Sequence, residues 1–375
     1  VTLDIFLINS IIPLMLAFVL WVNSSKTTVA KRFLSWAMVN AGVSFFITHQ
    51  YMNGNYELYV ILHPLGVATI LFIYPSFYQY VSHLTGAHQL KRRLFVPGMV
   101  FGLVSLVVFL GLLSHEEQIY FLSDYRTQPG TDHWRLQVNQ WFRLLNVALI
   151  FFQIGWFFFK TNALLKKYHA EIANVFSDVS QLKLSRVKIL NTSFIVAAIA
   201  CISFYVINPV KVFGTTQALE YPFFLLALIL SMLGAIGVSQ NEAPDLILQP
   251  QPAPSSSEAT SETTVDDFFA KIDLYMNRER PYLEPAFNIV QMAAAIGSNR
   301  TYISNCINRN KGMNFSQYVN AYRLAQAKQL LIEKRQLPVA DIALHSGFGS
   351  VSAFSRCFKE SEKMTPTEYR DQGKS

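Results

Sequence analysis

Charge is what this chain lacks most. Only 15% of its 375 residues are Asp, Glu, Lys or Arg, against about 25% in a typical soluble domain. The shortage goes with 51% hydrophobic residues and 30 Phe, which excludes an ordinary soluble protein of this size. Cysteine is nearly absent as well. Cys201, Cys306 and Cys357 are single and scattered, so neither a disulfide framework nor a paired-cysteine metal spacing is available. There is no P-loop, no G-x-G-x-x-G, no H-E-x-x-H, and no phosphoacceptor or kinase signature. Hence no catalytic residue, cofactor or metal is expected, and the chain does not read as an enzyme.

The charges that exist are segregated. Apolar runs lie near 3–22, 33–52, 57–82, 94–113, 138–160, 187–207 and 219–239, each close to the ~20 residues that a helix needs to cross a bilayer. A seven-span, all-α bundle over 1–240 is the expectation. The first run lacks a basic front and a small-residue cleavage site and reads as an anchor, not a secretion signal. Loops 23–32, 83–93 and 160–188 hold twelve basic residues: Lys26, Lys31, Arg32, Lys91, Arg92, Arg93, Lys160, Lys166, Lys167, Lys183, Arg186 and Lys188. The alternate loops hold three, Arg126, Arg135 and Lys211, with Glu116, Glu117, Asp124 and Asp132 in the longest. Because Lys and Arg concentrate on the cytoplasmic side, the N-terminus is expected outside and the C-terminus inside.

Residues 241–264 include QPQPAPSSSEATSETT, with four acids and no base. Such a segment cannot bury enough apolar surface to order itself. It is expected to be a flexible linker with a mean reach of roughly 25–30 Å. A helix from Val265 to about Arg278, with Phe268, Phe269, Ile272 and Tyr275 on one side, then opens a second domain over 265–375.

That domain carries two helix-turn-helix patterns. In the later one, Ile342 and Ala343 sit on a short first helix and Gly347 permits a left-handed turn. Phe348, Phe354 and Phe358 form the core side of the next helix, which turns Ser350, Ser352, Ser355, Arg356 and Lys359 outward. In the earlier one, Val290, Ala293 and Ile296 form the first helix, Gly297 the turn, and Asn299 to Asn308 the second helix. A helix from Phe315 to about Ile332, roughly 25 Å long at 1.5 Å per residue, would hold the two reading helices about one DNA turn, near 34 Å, apart. From Asp266 to Ser375 there are 15 Lys/Arg against 11 Asp/Glu, a net of +4, which suits phosphate contacts without being a polybasic tail.

These two halves, in this order, closely resemble the DNA-binding domain of AraC/XylS transcription regulators over about 90 residues. The resemblance rests on Ile342-Ala343, Gly347-Phe348, Phe354-Ser355-Arg356, Phe358-Lys359, Thr365-Pro366 and Tyr369-Arg370, and on Phe287 to Leu331 for the first half. Lys363 departs from the family's usual glycine, which puts that turn in question. The resemblance implies double-stranded DNA as partner through two adjacent major grooves. The base-contacting positions carry over to Arg300, Thr301, Ser304 and Asn305, and to Val351, Ser352, Ser355 and Arg356. Arg356 suits a bidentate contact to guanine, Asn305 adenine, and Val351 a thymine methyl. It also implies a homodimer, with RNA polymerase as a further partner; taken with the apolar runs and loop charges, the expected location is a bacterial inner membrane, with membrane lipid around the spans.

Two places are candidates for signal entry. Polar groups inside apolar spans are costly and tend to face the bundle interior; His63, Arg143, Asn146 and Glu220 are the ligand candidates, for an unidentified small-molecule or lipid-phase stimulus. Segment 160–188 is either a heptad seam through Leu165, Tyr168, Ile172, Val175, Val179 and Leu182, or a helical hairpin with Ser177-Asp178 ending one helix and Asp178 with Gln181 capping the next. The expected function is a one-component transcription regulator controlled by its membrane part. The alternatives are a transporter-like or membrane-enzyme domain whose occupancy is reported to DNA, and a passive tether released by proteolysis.

Overall fold

The structure is a computed structural model describing residues 5–24, 29–86, 92–123, 133–179, 182, 184–193, 195–196, 220–240 and 262–372. Those residues form helices and turns; no strand occurs among them, and one isolated antiparallel bridge joins Phe176 to Asn288. The chain divides into two compact units: Val1–Leu165 with Leu184–Ala243, and Lys166–Lys183 with Pro244–Ser375. Sequence alone assigns 166–183 to a loop of the membrane part. The structure gives it to the second unit.

The first unit contains α1 (Ile5–Val22), α2 (Val29–Met52), α3 (Tyr56–Leu84), α4 (Val96–Ser105), α5 (His115–Ser123), α6 (Trp134–Val175, up to Leu165 in this unit) and α7 (Glu220–Ser239). Small residues let its helices approach closely. A Cβ on Gly42 would lie 2.9 Å from the Ser10 carbonyl oxygen, and one on Gly102 2.8 Å from Ala68 Cβ. Lys31, counted above among loop charges, is instead buried and donates to the Val238 carbonyl at 2.9 Å, at the end of α7. After Ser105, α4 passes into a π-helical turn, Leu106–Gly111. Gln118 Nε2 donates to the Phe109 and Leu113 carbonyls, and Asn139 Nδ2 to that of Val108. They satisfy acceptors of the kind that an irregular turn leaves without helical partners.

Large apolar side chains point outward on this unit, with Phe18 70%, Trp141 71% and Phe159 71% exposed. Three stretches, Tyr56–Leu84, Arg92–Gly111 and Trp134–Val175, are long and apolar enough to cross a membrane; Leu7–Val22 and Phe224–Ser239 are apolar but shorter. So only three of the seven expected spans reach that grade among the described residues. α2 buries Ser35, Asn40, His49 and Gln50, which lowers its apolarity; Ser35 Oγ, for one, donates to the Ala17 carbonyl at 2.8 Å. Most of run 187–207, Cys201 and linker residues 241–261 lie outside the described residues.

Segment 160–188 takes the hairpin form in outline: α6 continues to Val175 and helical backbone resumes at 185. Gln181 of the expected cap lies outside the described residues, Asp178 stands seven residues before the helical backbone at 185, and Ser177 spends its hydrogen bonds within the second unit.

That unit comprises α8 (Glu262–Glu279), α9 (Ile289–Ile296), α10 (Arg300–Lys311), α11 (Phe315–Glu333), α12 (Val339–His345), α13 (Val351–Glu362) and α14 (Pro366–Gln372). α11 is the shared spine, about 28 Å long at 1.5 Å per residue. Phe315, Tyr318 and Val319 on its first half pack with Ile272, Met276, Ile289, Met292, Ile303 and Ile307. Leu324, Ala327, Leu330 and Leu331 on its second half pack with Ile342, Ala343, Phe348, Phe354 and Phe358. Tyr318 and Tyr322 both donate to Asp273 Oδ1 of α8, and burial raises both phenol pKa values, Tyr322 to about 12, so they remain donors.

Candidate nucleic-acid interface

Four short helices of the second unit, α9, α10, α13 and α14, are started by side-chain caps. Asn288 and Gln291 form a capping box on α9: Asn288 Oδ1 accepts from the Val290 and Gln291 amides, and Gln291 Oε1 accepts from the Asn288 amide. Asn299 caps α10 through the Tyr302 amide at 2.8 Å, and Ser350 caps α13 through the Ala353 amide at 3.1 Å. Such caps are each worth about 1 kcal/mol. Gly297, at φ +72°, gives the left-handed bend between α9 and α10; Gly347, at φ +83°, gives the one between α12 and α13. Lys363 also adopts a left-handed φ of +61°, so the turn before Thr365-Pro366 keeps the form that a glycine would take. Thr365 and Glu368 cap α14 reciprocally, and the Thr365 amide on Glu368 holds that carboxyl below the ordinary Glu range.

The expected contact residues fall on two outward faces. On α13, Val351, Ser352, Arg356 and Lys359 are exposed and Ser355 is half-buried. Ser350 uses one hydroxyl lone pair on the cap, which leaves its hydroxyl proton available to donate. Val351 leaves 41% of an apolar side chain in solvent, which is the property a thymine-methyl contact needs. On α10, Asn305 is exposed while Arg300, Thr301 and Ser304 are half-buried. Those four share a cleft of about 270 Å³ with Glu171, Asn174 and Val175 at the end of α6 and with Ile289.

Sequence reasoning counted Arg323 within the Phe287 to Leu331 match but gave it no role at the centre of the unit. Arg323 on α11 is fully buried between the two cores. Its Nε donates to the Tyr282 carbonyl at 2.7 Å, and its Nη2 to the Glu284 carbonyl at 2.8 Å and to Ser177 Oγ at 2.9 Å. Burial lowers its pKa to about 10, which leaves it protonated at neutral pH. Nothing in the local pattern around Ser177 marks it as a partner 146 positions before Arg323.

The ligand candidates of the first unit are only partly assembled. The His63 ring lies 4.3 Å from that of Phe109 and its Nδ1 3.2 Å from Ser105 Oγ. Phe109 meets Phe121 at 6.2 Å, and the Arg143 guanidinium lies 5.5 Å from the Phe121 ring. His63 and Arg143 thus belong to one aromatic-lined group. Asn146 is buried, one turn beyond Arg143 on α6, with Oδ1 unbonded among the described residues. The Glu220 side chain, and with it any pairing to Arg143, lies outside the described residues.

A family model described as a helix-turn-helix domain matches residues 292–372. The chain is similar to the uncharacterized HTH-type transcriptional regulator YtdP of Bacillus subtilis (strain 168), 34% identical over 92 residues, 24% of this chain and 12% of that protein. It is similar to the uncharacterized HTH-type transcriptional regulator SAS0078 of Staphylococcus aureus (strain MSSA476), 28% identical over 99 residues, 25% of this chain and 13% of that one. Only about an eighth of the length of either relative is therefore spanned. The probable transcription factor PqrA of Proteus vulgaris is 28% identical over 113 residues, 30% of this chain and 88% of PqrA. Among solved structures, the C-terminal domain of the two-component response regulator yesN from Fusobacterium nucleatum is 25% identical with a TM-score of 0.25, covering 28% of this chain and 98% of that one. With paired helix-turn-helix halves on one spine and transcription regulators as relatives of this segment, the chain carries a C-terminal helix-turn-helix domain of the AraC type.

Proposed function

We propose that this chain is a membrane-held, one-component transcription regulator. α10 and α13 read two adjacent major grooves of double-stranded DNA. The observation that carries the reading is the shared spine α11, which gives each capped reading helix its own core and leaves each with an outward polar face. Arg356 contacts guanine, Asn305 adenine and Val351 a thymine methyl, with Arg300, Thr301, Ser304, Ser352 and Ser355 beside them and Ser350 and Lys359 on phosphate. The apolar unit is a seven-span domain in a bacterial inner membrane with the second unit cytoplasmic. Outward apolar side chains and the bias of loop charges support this. The stimulus enters through the group around His63 and Arg143, with Asn146 and Glu220 near it, and the output is a change in a DNA-bound homodimer that works with RNA polymerase.

Footprinting of the full chain in lipid nanodiscs on duplexes selected from a random library tests the DNA reading. Two protected major-groove segments about one turn apart are expected. Arg356→Ala should weaken binding by about 1–3 kcal/mol and relax preference at one base position. An equal effect on all sequences would demote Arg356 to a phosphate contact, and failure to select any duplex would end the proposal.

A further inference from the structure

We infer that segment Lys166–Asp178, the end of α6 and the turn after it, is an intramolecular occupant of the DNA face, which DNA has to displace from the first reading helix. The inference rests on the reading of α10 as a base-contacting helix.

The segment is built into the second unit. Val175 is 8% exposed and belongs to the core with Ile272, Met276, Phe287 and Ile289. Phe176 forms the backbone bridge to Asn288. Ser177 is fully buried: its amide donates to the Phe287 carbonyl at 3.2 Å, its carbonyl accepts from Ser316 Oγ at 2.9 Å, and its hydroxyl oxygen accepts from Arg323. These are the bonds of a docked element, comparable to those that hold the unit's own helices.

What precedes this anchor lies over the reading helix. Glu171, Asn174 and Val175 line one cleft with Arg300, Thr301, Ser304 and Asn305. The cleft is small, about 270 Å³. A duplex inserts a whole base-pair edge flanked by two phosphate walls, so helix α6 and DNA compete for this face. Charge acts in the same direction. Glu171, paired with Lys167 at 3.7 Å, stands at the first reading helix. The Asp178 carboxylate stands ahead of the second, its Oδ2 2.6 Å from where a Cβ on Gly349 would be. Phosphates favour helix N-termini of this kind, and carboxylates beside them repel phosphate.

The occupant is also the continuation of a helix whose residues up to Leu165 belong to the apolar unit. A change in that helix therefore reaches the DNA face through one unbroken backbone.

The test uses the full chain in nanodiscs, in a Cys201→Ser background, with the pair Asn174→Cys and Ser304→Cys across the cleft. Cys306 is buried, and burial pushes the Cys357 thiol up to about 11, so neither competes readily with the new pair, whose disulfide is verified by mass spectrometry before binding is measured. The probe is a random duplex library and the duplexes recovered from it. Oxidised protein should bind recovered duplexes at least tenfold more weakly than the same protein reduced. Val175→Asp, which puts a charge in the anchor, should bind at least tenfold more tightly than the parent chain. Equal binding by the oxidised and reduced pair overturns the inference and leaves the DNA reading intact. If the parent, the reduced pair and Val175→Asp all recover no duplex, the proposed function itself fails, and this inference with it.

Discussion

Arg323→Met removes the guanidinium from the middle of the DNA-binding unit while nearly keeping its volume. Two opposing terms set the result. The buried Tyr282 carbonyl and Ser177 Oγ, and the part-buried Glu284 carbonyl, lose their donor; at about 1–3 kcal/mol each, with the least for Glu284, the gross loss is about 6 kcal/mol. Against this, a buried charge is no longer required. The fall of the Arg323 pKa from 12.5 to about 10, driven first by burial, corresponds to roughly 3 kcal/mol of desolvation that methionine avoids. The net expectation is a destabilisation of about 3 kcal/mol. All five Trp lie at Trp21, Trp36, Trp134, Trp141 and Trp156, so tryptophan fluorescence reports on the first unit only. Hydrogen exchange by mass spectrometry of peptides from 316–331 is the suitable assay. Exchange about 100-fold faster than in the parent chain is expected. A change smaller than threefold would refute the reasoning, because desolvation would then cancel the carbonyl bonds.

Gly347→Ala should abolish folding of the second helix-turn-helix, since the new Cβ meets the Tyr282 carbonyl oxygen and comes within 2.7 Å of Leu283 Cα at a φ of +83°; proteolysis between α11 and α13 reads this out, and native resistance would count against it. Lys363→Gly should stabilise the same region by about 0.5–1 kcal/mol, because glycine takes the left-handed φ of +61° without a Cβ penalty; exchange in 351–372 should slow, and faster exchange would sink the idea. Lys328 Nζ, 2.8 Å from Glu362, holds that carboxyl below its ordinary pKa. Its stabilisation is therefore full above the ordinary Glu pKa of about 4.3 and is lost as pH falls through the lower folded value. With both side chains partly in solvent the effect is at most about 1 kcal/mol. Glu362→Gln should remove this part of the acid dependence of exchange in α13; an unchanged dependence would contradict the pairing.

Much of the second unit was legible because its rules are local. Asn299, Ser350 and Gly347 act on amides and backbone angles within a few residues of themselves, and the apolar period of Phe348, Phe354 and Phe358 names its own buried side. Lys363 was legible only as a departure. Backbone geometry decided that a lysine takes the glycine's conformation there. The apolar runs were legible as apolar, but α2 falls below membrane-spanning grade because Asn40, His49 and Gln50 lower its hydropathy, and only the structure shows Ser35 bonded across to the Ala17 carbonyl of α1.

The sequence by itself determined the paired helix-turn-helix pattern, the outward residues of each reading helix and the segregation of charge, since each depends on spacing within one helix or turn. Tertiary structure alone decided what lies on those faces. Ser177 and Asp178 read as a helix end because capping is a local signal, yet Ser177 bonds to Phe287, Ser316 and Arg323, more than a hundred residues on. A hydroxyl or carboxylate can satisfy a near or a distant partner equally well. Only the packing of Val175 into the core with Ile272, Met276 and Phe287 fixes which one it meets.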